Sequence, residues 1–84
     1  MSMTERQAKL VKLVKNGQQG LHFKRGRWMA RGGFTEAELA DVVNLWCETS
    51  GGRETGKLTP VGEVELTAYE TKNGEIPIKT RGTR

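Results

Sequence analysis

The apolar positions of this chain fall into two helical stripes, one alternating segment between them, and a last stretch that fits either period. Leu10, Val11 and Val14 recur at helical spacing and predict a helix over residues 5–15. Thr4 can cap it, with Gln7 three residues later in a capping-box relation, and Asn16-Gly17 forms a stop tolerant of the left-handed conformation. Leu39, Val42, Val43 and Trp46 form the second stripe and predict a helix over residues 36–48, with Glu38, Asp41 and Glu48 facing water. Thr35 is its N-cap, Glu38 completes a capping box, Phe34 can staple onto Leu39, and Glu36 and Glu38 suit the positive end of the helix dipole. Thr49-Ser50-Gly51-Gly52 ends it.

Between the helices, residues 20–31 predict a β-hairpin. With Arg25-Gly26 as the loop, Phe23 faces Trp28 and Leu21 faces Ala30 on an apolar side, while His22, Met29, Lys24 and Arg27 line the other. Arg-Gly is not a favoured two-residue turn, so the loop alone specifies this register weakly.

Beyond Gly56 two readings compete. Val64, Leu66 and Ala68 alternate with Glu63, Glu65, Thr67 and Tyr69, and Asn73-Gly74 is a strong hairpin signal. Ile76 and Ile78 then lie on a return strand that Pro77 restricts to an edge. The other reading is a helix capped by Thr59, with Pro60 at its first position and Gly74 after its end. We take the strands. The resulting fold class is α+β, two helices packed on a small antiparallel sheet in the order helix, hairpin, helix, hairpin. It makes one domain over residues 1–80, with a frayed basic tail over 81–84.

Composition narrows the function. Of 84 residues, 35% are hydrophobic, a lean core that suits a binding module better than an enzyme with a deep cleft. One cysteine, Cys47, cannot form an internal disulfide, and no stretch has the character of a signal peptide or a membrane span. A cytoplasmic or nucleoid-associated protein is expected. Cys47 reads as a buried structural residue, and His22 reads as a surface residue. One Cys and one His are too few ligands for structural zinc, and no phosphate-binding glycine loop is present, so neither metal, cofactor nor catalytic residue is expected.

The net charge of +4 is unevenly spread. Residues 1–33 hold eight basic residues against Glu5 alone, residues 34–70 hold eight acids against Arg53 and Lys57, and the remainder is basic again. The segment from Phe23 to Gly33 interleaves four cations with two aromatics, both of which we place in the core. Such a pattern suits phosphate binding by a projecting ribbon. The alternative is that the two signs cancel in space.

Residues 35–66 resemble winged-helix DNA-binding proteins, through Thr35-Glu36-Ala37-Glu38-Leu39, the Gly51–Gly56 loop and Lys57-Leu58-Thr59-Pro60-Val61-Gly62. The resemblance implies a winged-helix-like variant of the fold, in which Arg53 and Lys57 sit on a wing and contact phosphates. The acidic start of the second helix departs from that pattern. Compactness and charge also resemble small accessory proteins of phages and mobile elements. The expected function is a non-enzymatic nucleic-acid-binding protein, a regulator, acting on DNA or RNA through Lys9, Lys12, Lys15, Lys24, Arg25, Arg27 and Arg31, with Arg53 and Lys57 as a second patch. The alternative is an adaptor or inhibitor that binds a host protein through segregated charge. A homodimer is plausible through a sheet edge near Ile76–Ile78 or an exposed Trp46.

Overall fold

The computed structural model describes residues 3–78, and the predicted basic tail lies outside them. Helix α1 spans Glu5–Lys15, as its stripe predicts. The Thr4 hydroxyl accepts from the Gln7 backbone N–H (3.1 Å) and the Gln7 side chain accepts from the Thr4 backbone N–H (3.0 Å), which satisfies two of the donors that a helix start leaves free. Strands β1 (His22–Lys24) and β2 (Arg27–Met29) form the expected hairpin, in the expected register of His22 with Met29, Phe23 with Trp28 and Lys24 with Arg27. Arg25 and Gly26 both adopt positive φ, 55° and 81°, the backbone of a primed two-residue turn whose twist matches its strands.

The second helix opens as predicted, with α2 at Glu36–Asp41 and a Thr35–Glu38 capping box, but it does not run to residue 48. Residues Val42–Trp46 widen into a π-helical turn, and Cys47 and Glu48 already belong to strand β3 (Cys47–Ser50). Tertiary pairing overrides helical periodicity here. Cys47 lies opposite Leu58 on β4 (Glu54–Leu58), and the Trp46 carbonyl accepts from the Thr59 backbone N–H at 3.0 Å. The second hairpin is therefore built by residues 47–58, not by 64–78.

Residues read as strands after Gly56 form helix α3, Pro60–Asn73. The local chemistry of its start decides the matter. The Thr59 hydroxyl accepts from the Gly62 N–H at 3.0 Å, Pro60 occupies the first turn, and Gly74 ends the helix at φ 97°. Alternation of Val64, Leu66 and Ala68 does not mark one buried face, because only Leu66 enters the core. Ile76 is buried in the segment that follows, and neither it nor Ile78 lies on a strand. Trp46 is fully buried, so neither of the two interfaces expected from sequence is offered to a second copy.

The domain is α+β: an antiparallel sheet ordered β2-β1-β4-β3, with three helices against it. The core gathers Leu10, Val11 and Val14 from α1, Leu39, Val42 and Trp46 from the second helical segment, Leu58 from β4 and Leu66 from α3. Gly62 marks a close approach between elements: a Cβ there would overlap the Trp46 carbonyl oxygen.

Candidate nucleic-acid interface

The nine cations expected to form the contact surface divide by element. Those of α1 are matched to carboxylates. Lys9 lies 3.7 Å from Glu5, one turn earlier on the same helix, and Lys15 lies 3.2 Å from Glu63 of α3. Lys12 is half-buried. Its ammonium donates to Glu70 and, at 3.0 Å, to the Ile76 carbonyl, with Glu75 3.6 Å away. The hydrogen bond to Glu70 raises the Lys12 pKa, and the same contact lowers that of Glu70, which also accepts from the Ile76 N–H. Lys12 therefore ties α1 to α3 and to the chain beyond it.

Arg6 completes this pattern, although nothing in its sequence position marks it out. Its guanidinium binds both oxygens of Glu38 (2.8 and 3.2 Å) and the Gly33 carbonyl (3.0 Å), and lies 4.7 Å from the centre of the Phe34 ring. Bidentate pairing of this kind is the strong form of a carboxylate contact. Hydrogen bonding from Arg6, reinforced by the Thr35 N–H, holds the Glu38 carboxyl at about 2. Glu38 thus serves its own helix cap and the α1–α2 contact, instead of facing water.

The hairpin cations are differently placed. Among the described residues Lys24, Arg25, Arg31, Arg53 and Lys57 have no ion pair, and Arg27 has only a loose one, 3.9 Å from Glu36. Sheet topology brings some of them together. β1 runs antiparallel to β4, with His22 opposite Glu54, and the Phe23 N–H donates to the Arg53 carbonyl at 2.8 Å. The β1–β2 turn at Arg25-Gly26 and the β3–β4 turn at Gly51-Gly52-Arg53 consequently project from the same end of the sheet. Lys24, Arg25, Arg27 and Arg53 gather at that end. Arg31 follows β2 and Lys57 lies late on β4, so both sit toward the opposite end.

Two apolar side chains accompany the cations. Phe23 is 40% exposed and Met29 43%, so Phe23 is not the core residue expected from sequence. Phe23 meets Trp28 edge-on, ring centres 5.5 Å apart, and Trp28 is half-buried against the core. The Cys47 thiol is buried, which pushes its pKa up to about 12, and β4 separates its strand from that of His22. Among the described residues no cluster of three or more His, Cys, Asp or Glu has a metal-binding arrangement, and no helix is long and apolar enough to cross a membrane.

Fold and site together define a small α+β domain with two cationic hairpin turns at one end of its sheet. Comparison with known proteins adds no relative: no family model, no curated protein and no solved structure matches the chain.

Proposed function

We propose that this protein is a non-enzymatic nucleic-acid-binding domain, regulatory in kind, that contacts phosphates through the turns of its two hairpins. The observation that carries this reading is the convergence of Lys24, Arg25, Arg27 and Arg53 at one sheet end, with all but Arg27 free of ion pairs among the described residues. Unpaired cations on narrow projecting turns keep their charge available to a polyanion, and each phosphate they neutralise releases counterions. Of the two residues that the winged-helix resemblance implies on a wing, Arg53 lies in the β3–β4 turn, while Lys57 lies late on β4, away from the gathered cations. Lys12 and Lys15 leave the proposed surface, because each is matched to a carboxylate of α3, and Lys9 leaves it because it belongs to α1 and not to either hairpin turn.

A gel-shift titration on DNA and RNA at several salt concentrations tests the proposal. Replacing Lys24, Arg25 and Arg53 together by Gln should weaken binding and lower the salt slope by roughly one for each phosphate no longer neutralised. Replacing Lys9 and Lys15 should leave the slope unchanged. Absence of binding to either polymer at low salt removes the reading.

A protein partner is the second reading, favoured by exposed Phe23 and Met29 on opposite faces of the arginine-bearing hairpin, residue types enriched in protein interfaces. Retention of one partner in a pull-down after nuclease treatment would select it.

A further inference from the structure

Helix α3 carries apolar residues on two sides. Its inner side sends Leu66 and Gly62 to the core, with Tyr69 half-buried beside them. Its outer side presents Pro60, Val61, Val64, Thr67, Ala68 and Thr71, all exposed and none charged. Val61 and Val64 are 54% and 67% exposed, the most exposed large hydrophobic side chains among the described residues. In a chain with 29% charged residues, an outward helix face without a charge is unusual, and a helix apolar on opposite faces is one that is covered on both.

We infer that this face pairs with the same face of a second copy, with the two α3 helices antiparallel and crossing near Ala68. Charge complementarity selects this occupant and this direction. Glu65 and Lys72 stand two turns apart on one flank of the stripe, where they line a shallow groove with Ala68 and Tyr69. Neither has an ion pair among the described residues. A two-fold axis perpendicular to antiparallel helices sets that flank against itself with its direction reversed. Glu65 of one copy then meets Lys72 of the other, twice. Parallel pairing would set this flank against the opposite one and form neither pair. The small side chain of Ala68 allows close approach at the crossing, and antiparallel helix dipoles oppose each other favourably. Residues 79–84 are an unsuitable cover, since Lys-Thr-Arg-Gly-Thr-Arg brings no apolar side chain. The pairing uses no residue of the proposed nucleic-acid surface and stands independently of it.

Sedimentation equilibrium of the full chain over a hundredfold concentration range tests the inference. The wild type should show a reversible dimer. Val64→Arg should weaken it by about tenfold or more, because two valines lose their cover and each introduced cation is set beside Lys72 of the other copy. Glu65→Lys and Lys72→Glu should each weaken self-association, and an equimolar mixture of these two variants should dimerise, since it restores opposite charges at both pairs. Circular dichroism confirms that each variant is folded. A wild type that stays monomeric throughout, a dimer indifferent to Val64→Arg, or a mixture no more associated than its components would each overturn the proposal.

Discussion

Two single residues occupy positions that favour glycine, one for its backbone angle and one for want of space, and only the second is a glycine. Arg25 holds φ at 55° in a turn where glycine or asparagine would sit without strain. Fold stability does not need arginine there, and the side chain is exposed at the cationic end of the sheet. Arg25→Gly should therefore leave the melting temperature equal or higher while weakening nucleic-acid binding; a gel shift and a thermal melt on the same preparation check both halves. Gly62 is the opposite case. Any Cβ would collide with the Trp46 carbonyl, and that carbonyl is held by the Thr59 N–H, so it cannot move aside. Gly62→Ala should cost about 3 kcal/mol, at the upper end of overpacking effects, measured by denaturant unfolding. Trp46 itself is fully buried, and its indole N–H has no hydrogen-bond partner among the described residues.

At the scale of elements, ion pairs and hydrogen bonds clamp the first helix to the other two. Arg6 joins α1 to α2 through Glu38, and Lys12 and Lys15 join it to α3 through Glu70 and Glu63. Glu38 is held at about 2 and Glu70 is also lowered, so both carboxylates favour the folded state only while ionised. The sign follows from linkage. A carboxyl depressed in the native state contributes stability that is whole above its ordinary range near 4.5 and is lost as pH falls through the folded value of about 2. Thermal midpoints should be flat from neutral pH down to about 5 and then fall steadily toward pH 2. Glu38→Gln should lower the plateau and make the acid decline shallower. Lys12→Ala should also lower the midpoint at neutral pH, while leaving any salt slope of nucleic-acid binding unchanged, because the Lys12 charge is already engaged.

For the molecule as a whole, charge is sorted by element: among the described residues the α1 cations are paired with carboxylates, Lys12 well covered and Lys9 and Lys15 at the surface, while the hairpin cations other than Arg27 have no ion pair. The surplus of cations in residues 1–33 consequently overstates the charge available to the proposed binding surface. The logarithm of affinity against the logarithm of salt concentration should have a slope of magnitude about 4 for one domain on duplex DNA, from four gathered cations at ~0.9 each. A slope near that expected for all nine cations would return α1 to the contact surface. If two copies associate through α3 and both engage one duplex, the slope should double in wild type and return to the single-domain value in Val64→Arg.

The residues that fix local backbone were legible in the sequence, and those that fix neighbours were not. Capping boxes at Thr4 and Thr35 and the Phe23–Trp28 register arise from contacts within a few residues, so the chain encodes them directly, whereas the Thr59-Pro60 helix start is legible only as the alternative to the strands. Between strand and helix for residues 60–73, period alone could not choose, because the apolar side chains occupy two helix faces and imitate alternation. Where the second helix ends depended on β4, which captures Cys47 and Thr49 from a distance in the chain. Which cations remain free depended on Glu38, Glu63 and Glu70 arriving from remote segments. Sequence determined the α+β class, the first hairpin and the cationic character of its turn, because short-range sterics and hydrogen bonding suffice for these. Only tertiary structure decided which charges cancel, since ion pairing is a property of distance in space and not of position along the chain.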